Sequence, residues 1–212
     1  MKPSTSLCVD PDASADAADL DAAEPGGAAA PRPAAVPEAA VLTDPDGAIL
    51  VFPAATATPA AVHFLITHSS GLVHAAMPSG LLDALRIPDQ PVLPSEDSGT
   101  SFTVAVDAAI GIGTGISAID RAHTLRVLAD PRSAPDDLVR PGHVLPIRCA
   151  AEAYTGLRCW ERAVALVSGA GHPPVAVAAR LVDEAGEPLD AASAVSFALW
   201  HGLALDPIGL PI

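Results

Sequence analysis

The chain has 212 residues and a formal net charge of −14, and 50% of its residues are hydrophobic although only 3% are aromatic. This length suits one domain with a core of aliphatic and alanine side chains. Eleven Lys and Arg residues against 25 Asp and Glu argue against a nucleic-acid partner, because phosphate binding needs concentrated positive charge. The sequence has no apolar run of membrane-spanning length, no signal-peptide layout and no paired cysteine spacing, so we expect a cytoplasmic protein with free thiols.

The first 38 residues differ in composition from the rest of the chain. They are rich in Ala, Pro, Gly and Asp and have almost no large apolar side chains. Such a segment can bury little surface to offset its conformational entropy. We therefore predict a disordered acidic tail over residues 1–38 and one folded domain over residues 39–212.

The first predicted elements form a hairpin followed by a helix. Residues 39–42 and 48–52 read as strands, joined by Asp44-Pro-Asp-Gly, which is a strong turn signal. Pro59 suits the first turn of a helix that runs to about residue 67. A strand over 72–76 and a short helix over 81–85 follow.

The central stretch, residues 100–148, carries the clearest local signals. Residues 102–106 are rich in β-forming side chains and predict a strand, which leads into a Gly-rich turn. Ser117 is a good N-cap with Asp120 three residues later, so a helix should begin there and end near Ala129. Arg140-Pro-Gly-His then leads into an apolar strand over 144–147. We expect the turns around Thr114 and His143 to face a common cleft.

The C-terminal part alternates again between the two kinds of element. Helices are predicted over 161–170 and 191–201, the second ending at Gly202, and strands over 175–182 and 203–205. Strands separated by helices in this mixed order predict an α+β layered sandwich with a mixed sheet.

Several motifs of the central stretch occur together in one known family. They are T-x-F-T-V-x-V-D-A, T-G-I-S-A-x-D-R-A-x-T, L-A-D-P and R-P-G-H-V-x-P, with His-Ser-Ser-Gly-Leu-Val upstream at 68–73. In these motifs the chain resembles 3,4-dihydroxy-2-butanone 4-phosphate synthase, which makes the four-carbon unit of riboflavin from ribulose 5-phosphate. The resemblance covers roughly residues 40–212. It implies the α+β fold, a homodimer with sites near the subunit interface, and a small-molecule substrate.

The sequence departs from this family in the segments that carry its chemistry. The family's acidic loop, D-D-E-D-R-E-N-E-G-D, is replaced by the shorter Thr-Asp-Pro-Asp-Gly-Ala-Ile at 43–49, which we interpret as a structural turn. In the family motif R-x-G-H-T-E, Cys159 stands for the metal-binding His, Trp160 for the Thr and Gly156 for the Arg, whereas Glu161 is kept. The family has a further carboxylate in the strand that corresponds to residues 177–182, and Arg180 stands at its position here. Since magnesium prefers carboxylates and water, we expect no cofactor and no metal ligands.

Four residues are candidates for catalysis, each with an alternative. His143 and His74 suit acid–base chemistry near neutral pH, but His143 could instead only hydrogen-bond its turn and His74 could lie on the outer face of its strand. Cys159 is a nucleophile if its pKa is lowered, and otherwise a buried inert thiol. Glu161 is a third acid–base group or only compensates a helix dipole. The candidate substrate-binding residues are Trp160, Arg158, Arg180, Ser70, Thr114 and Arg140. We interpret the neighbours Asp120 and Arg121 as a structural ion pair.

Three functional hypotheses remain open on the sequence alone. The preferred one is a repurposed, metal-independent enzyme that performs a cyclisation, isomerisation or elimination in specialised metabolism. The second is a non-catalytic homologue that binds a small molecule or a partner. The third is a genuine riboflavin-pathway synthase, a lyase acting on ribulose 5-phosphate.

Overall fold

The computed structural model describes residues 36–93, 95–96, 99–150 and 158–206. The predicted disordered tail lies outside these residues except at 36–38, where Val36 is buried in the core. Within the described part of the chain, no helix is long and apolar enough to cross a membrane. The cytoplasmic location and the domain limits stay predictions.

Eight strands and five α-helices form the domain over the described residues. The strands are β1 (Ala40–Asp44), β2 (Gly47–Pro53), β3 (His74–Pro78), β4 (Ser101–Phe102), β5 (Val106–Ala108), β6 (Leu138–Cys149), β7 (Ala176–Arg180) and β8 (Ala204–Asp206). The helices are α1 (Pro59–Thr67), α2 (Ser79–Ala84), α3 (Ala118–Ala129), α4 (Cys159–Gly169) and α5 (Ala191–His201).

The strands form one mixed sheet in the order β4-β6-β3-β7-β2-β1-β8, with β5 paired to β6 outside this path. The pairs β3–β6 and β1–β8 are parallel and the others are antiparallel. Helices cover both faces of the sheet, and each strand therefore alternates between two apolar cores. The predicted α+β sandwich with a mixed sheet is confirmed.

The two cores differ in size, and the smaller one holds the candidate site. The larger core packs α1, α3 and α5 against one face of the sheet. The smaller core packs α4 against the other face, where Cys159 and Trp160 meet Ile49, Val51 and Ala178. The first turn of α4 thus lies directly on the central strands.

Side-chain caps lie at the start of three helices, and the cap at Ser117 is the one that the sequence predicted. Thr58, Ser117 and Asp190 each accept a hydrogen bond from a backbone N–H three residues later, at 3.1, 3.0 and 2.7 Å. Gly202 ends α5 in the left-handed conformation with φ 64°. These boundaries are confirmed.

Two local predictions are wrong. The strand expected over 102–106 is split into β4 and β5, because the Thr103 hydroxyl turns inward and donates to the Pro146 carbonyl at 3.0 Å. The expected Asp120–Arg121 ion pair does not form, because each side chain binds the backbone instead. Asp120 accepts from Gly113 N–H, and Arg121 donates to the Ile116 carbonyl.

Candidate active site

The β1–β2 turn holds Asp44 and Asp46 and supplies a charged group to the site. Asp44 Oδ1 accepts a hydrogen bond from the Asp46 N–H at 3.0 Å, the side-chain contact that such turns use. The same carboxylate binds Arg180 of β7, with Nη1–Oδ1 at 2.8 Å and Nη2–Oδ2 at 3.3 Å. Burial alone would raise the pKa of Asp44, but the hydrogen bonds and charge of Arg180 outweigh it and lower this pKa.

Cys159 lies beneath this ion pair. Its Sγ is 3.8 Å from Arg180 Nη2, and the residue is fully buried at the start of α4. Burial raises the pKa of the Cys159 thiol well above its usual range, and the adjacent Asp44 raises it further. A nucleophile needs the opposite shift, so these contacts fit the buried, inert thiol better.

His74 and Trp160 form an edge-to-face aromatic pair on the same face of the sheet. Their ring centroids are 5.2 Å apart at an angle of 66°, and Arg180 Cζ lies 5.7 Å from the centre of the Trp160 ring. The backbone register places His74 opposite Leu145 of β6, whose carbonyl is 3.2 Å from His74 Nδ1. His74 therefore points inward, and burial lowers its pKa to about 4.

Because His74 is buried, we expect the free energy of unfolding to fall in acid. The unfolded chain binds a proton at His74 near the ordinary histidine pKa of 6.5, whereas the folded protein resists protonation until about 4. The stabilising contribution is thus complete above pH 6.5 and falls as the pH drops to 4, by up to about 3 kcal/mol. Urea unfolding of His74→Gln between pH 7 and 4 should show a shallower decline than the native chain.

The matched control for this experiment is His63→Gln, since His63 is exposed on α1. Its pH profile should follow that of the unmodified chain. If the free energy of unfolding of His74→Gln falls with pH as steeply as that of the native chain, His74 does not contribute to the loss of stability in acid.

A small cavity opens beside Trp160. It has a volume of about 140 Å³ and is lined by Asp44, Asp46, Gly99, Thr100, Arg158 and Trp160. The Arg158 guanidinium lies against Gly99, where an added Cβ would be 3.2 Å from Nη2. Among the described residues Arg158 makes no ion pair, unlike Arg180. The cavity therefore presents the Arg158 guanidinium, the Asp46 carboxylate and one aromatic wall.

A second polar group lies where β5 and β6 meet the Gly-rich turn. His143 Nδ1 is 2.7 Å from Asp107 Oδ2, and the His143 backbone N–H donates to Asp107 Oδ1 at 2.9 Å. The Asp107 side chain is 6% exposed and that of His143 is 38% exposed. The expected meeting of the two turns occurs here, because Gly115 packs against both side chains. His143 does not line the Trp160 cavity.

The remaining predicted residues are scattered. Ser70 is exposed, and its N–H donates to the Arg180 carbonyl at 3.0 Å. Thr114 is exposed in the Gly-rich turn. Arg140 donates a hydrogen bond to the Leu85 carbonyl at 2.7 Å, which links β6 to the C-terminal end of α2. Glu161 is buried in the first turn of α4 with Oε2 unpartnered.

The sequence did not identify two residues of this region. Asp107 was part of a family motif with no assigned role, and the turn chemistry of Asp44 concealed its ion pair with Arg180. The only available signal for Asp107 was its place in a strand directly before the Gly-rich turn.

The mixed sheet with helices on both faces is an α+β fold, and comparisons with known proteins identify its family. A profile described as 3,4-dihydroxy-2-butanone 4-phosphate synthase matches residues 40–208. "Riboflavin biosynthesis protein RibBA" of Salinispora arenicola is 40% identical over 159 residues, which are 74% of this chain and 37% of the relative. The Mycobacterium tuberculosis H37Rv protein of that name is 41% identical over 161 residues. The chain belongs to the 3,4-dihydroxy-2-butanone 4-phosphate synthase family.

Solved structures agree with this assignment. A 3,4-dihydroxy-2-butanone 4-phosphate synthase of Candida albicans matches with a TM-score of 0.73 and 33% identity, over 81% of this chain and 87% of that one. RibBX of A. baumannii, described as a two-domain synthase, matches with a TM-score of 0.75 and 28% identity over 80% of this chain and 52% of that one. The chain spans 37% to 39% of the length of the first curated relatives.

The expectation that no cofactor is involved is wrong. A synthase structure that matches this chain with a TM-score of 0.72 and 34% identity is a complex with two magnesium ions. Asp44 and Asp46 are the two carboxylates that line the Trp160 cavity. The described part of the chain contains no group of three or more His, Cys, Asp or Glu side chains placed to hold one metal ion.

Proposed function

We propose that this chain is an enzyme that binds a small anionic molecule beside Arg158 and Trp160 and catalyses an acid–base reaction through His143. Isomerisation, cyclisation and elimination belong to this reaction class, because each depends on proton transfers. The observation that carries the proposal is the 2.7 Å contact between His143 and the buried Asp107. A carboxylate behind a partly exposed imidazole is the arrangement of a positioned acid–base group.

The electrostatics of the cavity support an anionic ligand. Arg158 is the N-cap residue of α4, so its guanidinium lies near the positive end of an 11-residue helix. Asp44 is already neutralised by Arg180, which leaves Arg158 as the cation available to a phosphate or carboxylate.

The shape of the site supports a small ligand with an apolar part. The cavity measures about 140 Å³, and the Trp160 ring forms its wall. His143 precedes Leu145 by two positions on β6, so alternation puts it on the His74 side of the sheet, about 7 Å along the strand.

The family reaction on ribulose 5-phosphate is the second candidate function. It is favoured by 40% identity to a protein named for riboflavin biosynthesis. A non-catalytic binding homologue is the third, and it would bind the same ligands without turning them over.

We also propose a homodimer, as the family resemblance implies. The exposed apolar side chains Leu72, Ile110, Ile116, Ile119 and Val139 surround the Gly-rich turn near His143. Burial of such a patch between two copies is a common reason for its exposure in one chain. Light scattering should give twice the monomer mass, and Ile119→Glu should reduce it; a monomeric native chain would refute this proposal.

The proposed function is tested by a thermal-shift screen of sugar phosphates, keto acids and hydroxy acids, with magnesium chloride present in every well. For each ligand found, Arg158→Met should raise Kd by roughly 10-fold or more, because a hydrogen bond to a charged group contributes about 1.5–3 kcal/mol. Turnover should require His143 and be lost in His143→Gln.

The matched control is Arg132→Met, whose side chain is 88% exposed away from the cavity. It should leave Kd unchanged. Equal affinities for the native chain and Arg158→Met would contradict the anion site. Binding without turnover of any ligand would favour the non-catalytic homologue.

A further inference from the structure

The contact between Asp107 and His143 is built from both the main chain and the side chain of His143. Asp107 Oδ1 accepts the backbone N–H of His143 at 2.9 Å, and Oδ2 lies 2.7 Å from its Nδ1. One carboxylate therefore fixes the position of the residue and the rotation of its ring. The opposite ring nitrogen, Nε2, makes no contact with Asp107, and the His143 side chain is 38% exposed.

Two glycines make this contact sterically feasible. A Cβ at Gly115 would overlap Asp107 Oδ2 and His143 Nδ1, and one at Gly142 would overlap the backbone of Val106 and Asp107. Gly115 also has φ +87°, a conformation that other residues rarely adopt. The Gly-rich turn thus packs directly against the contact.

The Gly-rich turn is itself held in place. Asp120 accepts the N–H groups of Gly113 and Gly115 at 3.1 and 3.0 Å. These hydrogen bonds anchor the turn to the first turn of α3. Arg121, the next residue of that helix, interacts electrostatically with Asp107. The Asp107 carboxylate is thus bound by the His143 backbone N–H and packed against Gly115.

We propose that Asp107 is a positioning residue that fixes the tautomer of His143 with the proton on Nδ1. An ionised carboxylate only accepts hydrogen bonds, so the ring nitrogen in contact with it must be the donor. The neutral imidazole then presents the lone pair of Nε2 on its exposed side. His143 therefore enters a reaction cycle as a base, takes a proton on Nε2 and returns it as an acid. This catalytic consequence rests on the proposed function, whereas the tautomer does not.

Long-range ¹H–¹⁵N NMR of the full ¹⁵N-labelled chain measures the tautomer directly. His143→Gln identifies its signals among those of the seven histidines. At a pH where the ring is neutral, the native chain should show a protonated Nδ1 and an unprotonated Nε2. Asp107→Asn should shift the population towards the Nε2–H form, and the exposed Asp136→Asn should not change it.

Several results would overturn the proposal. They are an Nε2–H tautomer in the native chain, a mixture of both forms, or an Asp107→Asn spectrum identical to the native one. If Asp107→Asn does not fold, the spectrum of the native chain still shows which tautomer His143 adopts. Gly115→Ala, which displaces both side chains, then serves as the variant in place of Asp107→Asn.

Activity separates this inference from the proposed function. On a substrate found in the screen, Asp107→Asn should lower kcat by roughly 10²-fold to 10⁴-fold, the usual contribution of acid–base catalysis, with a smaller change in KM. An equal loss in Asp136→Asn would contradict a positioning role. If the native spectrum shows the Nδ1–H form but no compound is turned over, the inference stands and the proposed function fails.

Discussion

Replacing Asp44 with Ala should lower the free energy of unfolding by about 3 kcal/mol. The change leaves the Arg180 guanidinium, whose side chain is 18% exposed, beside Cys159 and Trp160 without its carboxylate partner. Removing one member of a buried ion pair costs about 3–5 kcal/mol, because the other charge stays desolvated. The lower end applies here, since Arg180 keeps some contact with solvent. Urea unfolding at pH 7 measures the difference.

Two further variants make this result specific. Asp46→Ala alters an exposed carboxylate of the same turn and should change stability by less than about 0.5 kcal/mol. The double variant Asp44→Ala, Arg180→Met should recover most of the loss, because no unpaired charge remains. If Asp44→Ala is as stable as the native chain, the ion pair does not organise the site.

The second prediction with a large expected effect concerns the rate at which the protein converts ribulose 5-phosphate. We expect the purified protein to convert it at least about 10³-fold more slowly than a family synthase, since aligned acid–base and electrostatic groups each contribute factors of this size. The resemblance assigns this substrate to an acidic loop and to R-x-G-H-T-E. In this chain Asp44 and Asp46 belong to a tight turn, Arg180 binds Asp44, and Trp160 lines the cavity beside them.

Local signals predicted most of the fold. Pro59 after a capping Thr58, Ser117 before α3 and Gly202 after α5 specify helix ends through contacts within a few residues. Such contacts can be read from a single sequence. The split between β4 and β5 could not, because it depends on the inward turn of Thr103 towards Pro146, 43 positions further along the chain.

The candidate site was predicted only in part for the same reason. Trp160 and Arg158 were identified from their substitution within a family motif, and they line one cavity. The partnership of Asp44 with Arg180 spans 136 positions and depends on the β1–β2–β7 register. Alternation alone did not decide which face His74 occupies; its register with Leu145 and its contact with Trp160 do.

The Asp107–His143 contact depends on an irregular pairing. A register shift between Val106 and Asp107 brings the carboxylate opposite the His143 turn, and Gly142 permits the close approach of the two backbones. A strand pattern does not reveal such a bulge. The two histidines proposed for acid–base chemistry consequently differ: His74 is buried and hard to protonate, whereas His143 is partly exposed and held by a carboxylate.

We propose that the binding site of this family member differs from that of the synthases. The most direct test of this proposal is the release of formate from ribulose 5-phosphate by the purified protein with magnesium chloride, beside a family synthase assayed in parallel. We predict formate at the background rate under conditions in which the synthase converts its substrate fully. Formate and the butanone phosphate at a rate comparable to that of the synthase would contradict the account and establish the family reaction for this protein.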